Sequence, residues 1–114
     1  MAVSAAGEIV LNDDPPLHGV RPAADVLFLT AVRAFGSKCV GAILTGMGRD
    51  GAEGALQVRR AGGVVFGESE STCTIYGMPR AALQVGGVDA EYPIHEMAHA
   101  LVASMAGGKY ARAS

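Results

Sequence analysis

Apolar positions along the chain fall in short bursts separated by glycine-rich turns. Cys39-Val40-Gly41-Ala42-Ile43-Leu44 is apolar at consecutive positions and uncharged, the pattern of a central strand covered on both faces. Val64-Val65-Phe66 repeats it. Between them, Ala52 to Ala61 carries Ala55, Leu56 and Val58 at helical spacing until Gly62-Gly63 stops the run. Strand, helix and strand within about 27 residues predict a parallel crossover. Upstream, Glu8-Ile9-Val10-Leu11 predicts a short strand and Asn12-Asp13-Asp14-Pro15-Pro16 an irregular turn. Arg21-Pro22 then opens a helix bearing Val26, Leu27, Thr30, Ala31 and Ala34 on one side, ended by Gly36. Downstream come a polar loop from Glu68 to Cys73, an extended Thr74-Ile75-Tyr76, a turn at Gly77-Met78-Pro79 and a helix from Arg80 to Val85. Val88 to Pro93 supplies a last extended segment, and His95 to Met105 a helix expected to turn Ile94, Ala98, Leu101, Val102 and Met105 inward. This alternation predicts an α/β layered fold, a parallel sheet with helices on its faces.

Composition narrows the setting. The 114 residues suit one domain, half of them are apolar, and the formal net charge is −2. Nine Lys and Arg residues are scattered, so no basic patch invites nucleic acid. No apolar run approaches the roughly 18 residues of a membrane span. Two distant cysteines and no charged leader point to a reducing cytoplasmic setting. We expect residues 1–7 to be disordered or a linker remnant, 8–106 to form the domain, and 107–114 a flexible tail.

Three constellations bear on chemistry. Gly46-Met47-Gly48-Arg49-Asp50-Gly51 joins the best strand to the next helix and formally matches G-x-G-x-x-G. Glu68 or Glu70 stands about 20 residues on, as a dinucleotide fingerprint requires. Asp50 opposes that reading, because it sets negative charge beside the amides where a pyrophosphate must lie. The carboxylate makes better sense as the functional group itself, at the strand end where sites of open parallel sheets collect. A histidine-orienting aspartate is such a group: it fixes the imidazole tautomer and balances the imidazolium formed as a serine is deprotonated. The plainer alternative is that Asp50 caps the helix beginning at Gly51.

His95-Glu96-Met97-Ala98-His99 matches H-E-x-x-H, which on a helix places two imidazoles on one face for zinc, with Glu96 as base. A catalytic zinc takes a third protein ligand, and no Asp, Glu, His or Cys follows His99. A solvated polar face explains the match more simply, and no metal or other cofactor is expected. The third constellation, Glu70 to Arg80, offers hydroxyls and the Cys73 thiol but no neighbouring base, so loop structure is the safer reading. Cys39 fits a small core position.

Taken together, Arg21-Pro22-Ala23-Ala24-Asp25-Val26-Leu27-Phe28, Gly41 to Ala52 with its L-T-G-M-G-R-D-G-A block, and Gly77-Met78-Pro79-Arg80-Ala81-Ala82 resemble one family in order and spacing. It is the CheB-type chemotaxis protein-glutamate methylesterases, and the resemblance covers the C-terminal part of their catalytic domain, from about residue 8 to 105. Asp13-Asp14-Pro15-Pro16 and Ala61-Gly62-Gly63 agree with it. The resemblance implies a hydrolase that removes methyl esters from glutamates of chemoreceptors and deamidates receptor glutamines, using a Ser-His-Asp triad on a parallel, doubly wound (Rossmann-like) α/β domain with helices on both faces, of which this chain would be a half-domain. It assigns Asp50 the triad aspartate position, and places Thr45, Gly46, Met47 and Gly48 on the loop bordering the active site.

The departure from the family pattern is as informative. The serine loop, of Gly-x-Ser-Thr-Gly-Gly type, and the histidine that follows it are not found, nor is the receiver domain that usually precedes them. Ser4, Ser37, Ser69, Ser71, Ser104 and Ser114 lie in other surroundings, and none is assigned. The chain is therefore expected to be a fragment, a truncated reading frame or half of a split enzyme, inactive alone. It would associate with an N-terminal catalytic half or with itself, across a sheet edge exposing Val40 and Ile43. A non-catalytic interaction module is the competing reading.

Overall fold

The computed structural model describes residues 2–4, 9–10 and 24–105. Two short strands, β1 (Ala2–Val3) and β2 (Ile9–Val10), pair antiparallel. They are followed by α1 (Ala24–Phe35), a 3-10 turn (Gly36–Lys38), β3 (Val40–Ile43), α2 (Ala52–Arg60) and β4 (Val64–Glu68). Then come α3 (Met78–Gln84), β5 (Ala90–Tyr92) and α4 (Ile94–Met105). The acidic Asp13–Pro16 turn, His18, the Arg21-Pro22 helix opening and the 107–114 tail lie outside the described residues.

The main sheet is parallel, in the order β3-β4-β5. Val40 pairs with Val64 and Ile43 with Gly67, while Phe66 pairs with Ala90 and Glu68 with Tyr92. Burial explains why β4 is the central strand, since successive side chains point to opposite faces and both faces are covered. Val65 joins Ile43, Ala55, Val58, Ala82 and Val88 under α2 and α3, with Phe28 and Val32 of α1 packed behind. Phe66 enters a second cluster with Ala90, Met97 and Ala100 under α4, and Val40, Ala42 and Tyr92 lie at its margin. Its ring meets Tyr92 edge-on, with centroids 5.5 Å apart. Full burial of such a side chain is worth roughly 1.5–3 kcal/mol. Helices thus cover both faces, as a doubly wound sheet requires.

Two expectations about orientation are corrected. Ile43 is buried under α2 rather than exposed at the edge, because the pleat turns it toward the first cluster; Val40, on the other face, is half-buried. On α4 the inward residues are Met97 and Ala100, with Leu101 partly covered. Ile94, Ala98, Val102 and Met105 face outward, with Val102 61% and Met105 68% exposed. The helix carries apolar residues around most of its circumference, and β4 and β5 select the side that small Ala100 lets approach.

Candidate active site

The loop Thr45–Gly51 leaves the C-terminal end of β3 and is held from two directions. The Thr45 N–H donates to Glu68 Oε1 at 2.8 Å. Its hydroxyl donates to the Ile75 carbonyl at 3.1 Å and accepts from the Ile75 N–H at 2.9 Å. Gly46 continues the attachment: its N–H donates to the Ile75 carbonyl at 3.0 Å, and its own carbonyl accepts from Gly77 at 3.1 Å and Met78 at 2.8 Å. A side chain at Gly77 would put Cβ 2.6 Å from the Gly46 oxygen and 3.1 Å from Met47 Cα, so only glycine admits this approach. Two blocks that lie some thirty residues apart in sequence are therefore one structural unit.

Beyond this attachment Met47 stands at the rim, 77% exposed, beside the exposed Arg49. Gly48 and Gly51, at φ 93° and 95°, turn the chain so that half-buried Asp50 points away from α2. Its carboxylate accepts from the backbone N–H groups of Ala24, at 2.5 Å, and Asp25, at 3.1 Å. These are orphan donors of the α1 N-terminus, where a negative charge is favoured by the helix dipole. The expectation that Asp50 caps its own helix is thus corrected, for Gly51 precedes α2 without a side-chain cap. Asp25 completes an exchange: 1% exposed, it accepts from the Gly54 N–H of α2 at 2.7 Å. Each helix is capped by a carboxylate that belongs to the other's side.

A second network lies at the same end of the sheet. Glu68, 2% exposed, also accepts from the Thr72 hydroxyl at 2.8 Å, and Thr72 accepts from the Ile94 N–H at 2.9 Å. With both oxygens engaged, Glu68 is not free to hold a ribose as the dinucleotide reading asks. Tyr76 donates its hydroxyl in a short bond to Glu91; burial first, then that bond, push its phenol well above the usual range. Burial and then the nearby Glu68 raise the Cys73 thiol, and burial raises Cys39, so neither is primed as a thiolate nucleophile.

His95 and His99 are exposed on α4, the helix on the sheet face away from α2. No group of three or more His, Cys, Asp and Glu is placed to hold a metal ion among the described residues. Thr45–Gly48 and Asp50 lie on one loop at the C-terminal end of β3. Asp25, Thr72 and Tyr76 were missed as site-supporting residues, and Glu68 was weighed only for a ribose. Their one signal was a carboxylate closing an otherwise apolar strand, in Val64-Val65-Phe66-Gly67-Glu68.

The profile of the CheB methylesterase family matches residues 1–101. This chain belongs to that family. A protein-glutamate methylesterase/protein-glutamine glutaminase of Symbiobacterium thermophilum is 45% identical over 108 residues, which cover 95% of this chain and 30% of that protein. A protein of the same name from Clostridium acetobutylicum is 46% identical over 107 residues, 94% of this chain and 31% of that one. The crystal structure of the Thermotoga maritima CheB methylesterase catalytic domain superposes with a TM-score of 0.76 at 36% identity, over 78% of this chain and 47% of that one. The chain thus spans about three-tenths of these curated relatives' length and just under half of the solved domain. Within the CheB family frame, the parallel sheet and its covering helices are those of the catalytic domain. No helix among the described residues is long and apolar enough to cross a membrane.

Proposed function

We propose that this chain acts as the C-terminal half of a protein-glutamate methylesterase and glutamine deamidase catalytic domain, supplying the triad aspartate, Asp50. The serine and histidine come from the N-terminal half, whether that half lies on the same polypeptide or on another. The observation that carries this reading is the fixed carboxylate of Asp50 at the strand end, held by the Ala24 and Asp25 amides. A carboxylate anchored by two amides keeps lone pairs for an imidazole N–H.

In the reaction, the histidine takes the serine proton as Oγ attacks the ester carbonyl of a methylated glutamate on a chemoreceptor. Methanol leaves with that proton, and water then releases the glutamate from the acyl-enzyme. A receptor glutamine follows the same course and loses ammonia. Asp50 orients the histidine throughout. Thr45, Gly46, Met47 and Gly48 form one wall of the site, with Met47 offering apolar contact to substrate. The enzyme works in the cytoplasm, where Cys39 and Cys73 stay reduced.

The companion half also has a place to sit. β3 is an edge strand among the described residues, and beside it a groove of about 400 Å³ is lined by Cys39, Val40, Val64, Ser104 and Met105. The outward apolar stripe of α4 continues from that groove. An edge and an apolar face of this kind are what a severed sheet leaves for its remaining strands and helices.

The test is hydrolysis of a glutamate methyl ester on receptor-derived protein by the chain alone, by the chain mixed with an N-terminal catalytic half, and by that mixture carrying Asp50→Asn. The mixture is expected to be active, the chain alone inactive, and Asp50→Asn to lower kcat on the order of 10⁴-fold, as loss of a triad carboxylate does. Turnover by the chain alone, or an unimpaired Asp50→Asn mixture, overturns the proposal.

A further inference from the structure

Glu68 has no part in the triad, yet it is a carboxylate 2% exposed at the end of the central strand. Withdrawing such a group from water is costly, so its hydrogen bonds must be satisfied inside the protein. Oε1 accepts from the Thr45 N–H at 2.8 Å and Oε2 from the Thr72 hydroxyl at 2.8 Å. Thr72 in turn accepts from the first amide of α4, that of Ile94, at 2.9 Å. One side chain therefore links β4 to the point where β3 becomes the Asp50 loop, and through Thr72 to the head of α4.

The start of the loop is also bonded to Ile75 and Gly77, in the irregular segment between β4 and α3, and to Met78, the first residue of α3, while its end is held at the head of α1 through Asp50. The bonds to Ile75 and Gly77 join loop to loop. Glu68 instead ties Thr45 to β4, the central strand, buried on both faces. Asp50 lies five positions beyond Thr45, and its carboxylate must reach Ala24 at 2.5 Å, so a shift at the start of the loop is felt at its end. An apolar side chain at position 68 would leave the Thr45 N–H without its acceptor.

We propose that Glu68 is a positioning residue for the methylesterase reaction: its carboxylate fixes the start of the Thr45–Gly51 loop and so the aim of Asp50. The catalytic part of this inference rests on the triad role of Asp50 proposed above. What Glu68 supplies is an acceptor rather than a charge. The carboxamide of Glu68→Gln keeps an oxygen for Thr45 and can donate to the Thr72 hydroxyl, whereas Glu68→Leu keeps bulk and loses both bonds.

The experiment reads the isolated chain and the reconstituted mixture together. In the isolated chain, amide exchange at Thr45, Ala24 and Asp25 is followed by NMR relative to Val65 in the core. Glu68→Leu is expected to raise the three loop-linked rates about ten-fold or more, and Glu68→Gln to leave them within about two-fold. In the mixture, assayed well below the variant's Tm, Glu68→Leu is expected to lower kcat about ten-fold or more with KM little changed, and Glu68→Gln to restore kcat. A merely structural role for Glu68 predicts a lower Tm, with exchange at Ala24 rising only in step with Val65 and kcat intact; that result overturns the proposal. If Glu68→Leu does not fold, Thr72→Val removes the second anchor while sparing the carboxylate. Faster exchange at Thr45 and Ala24 then supports the proposal, and unchanged rates overturn it. An inactive mixture of unmodified halves overturns the triad reading and the catalytic part of this one, while exchange still decides whether Glu68 sets the loop.

Discussion

The two aspartates at the head of α1 and α2 show how little local sequence says about where a carboxylate bonds. Asp50 sits one residue from its own helix, yet caps the helix that begins 26 positions earlier; Asp25 answers across to Gly54. Truncating Asp25 strips the Gly54 N–H of its acceptor in a place water hardly reaches, and Asp25 is only 1% exposed. Asp25→Ala is therefore expected to destabilise the chain by about 1–3 kcal/mol in urea unfolding, and a loss below about 0.5 kcal/mol would remove the exchange from the account of stability. Asp50 was legible as a functional candidate because its loop follows an uncharged strand. Its anchors were not, since capping rules look only a few residues ahead and this cap reaches back across β3 and the whole of α1. Glu68 was similarly visible as a charge closing an apolar strand, but Thr45 reaches it only through the parallel pairing of β3 with β4, and Thr72 only through the turn that follows β4.

Helices and strands were legible where one period dominated. β3, α2 and β4 stand close to where the apolar bursts placed them, and α2 turns Ala55 and Val58 inward as its spacing demanded, whereas Leu56 is half-buried beside that core. On α4 the same method chose the wrong side, because residues 94, 98, 102 and 105 form as apolar a stripe as 97, 100 and 101; periodicity cannot choose between two apolar faces. Small residues decide such choices, as the contact of α1 with α2 shows. A Cβ on Gly54 would stand 2.6 Å from Phe28 Cβ and 3.1 Å from Asp25 Oδ1. Gly54→Ala gains up to about 1 kcal/mol of helix propensity, but pushing the helices apart costs about 1–3 kcal/mol and strains the Asp25 bond. We expect a net loss of about 1–2 kcal/mol in chemical denaturation. A stabilised variant would mean that α1 yields freely and that the close approach is incidental.

At the scale of the whole molecule, β3 and β5 are the two edges of the main sheet among the described residues. The Thermotoga maritima domain is matched over 47% of its length; with the proposed second half present, the β3 edge and the α4 stripe, which look like aggregation hazards in isolation, are expected to become an interface. Val102, 61% exposed, tests this apart from the chemistry, because it lies on α4 and not on the Asp50 loop. A charge there is solvated in the isolated chain, so Val102→Glu is expected to change its unfolding free energy by no more than about 0.5 kcal/mol. Buried against an apolar partner the same carboxylate would be stranded, weakening association with the N-terminal half by at least about ten-fold in a titration of ester hydrolysis. At saturating N-terminal half, kcat should return to that of the unmodified mixture, since Asp50 and its loop are untouched. Unchanged affinity would move the interface off α4 and leave the β3 edge to carry it. A sedimentation run on the isolated chain separates the rival use of the surface: self-association abolished by Val102→Glu would mean that a second copy, rather than the missing half, covers α4.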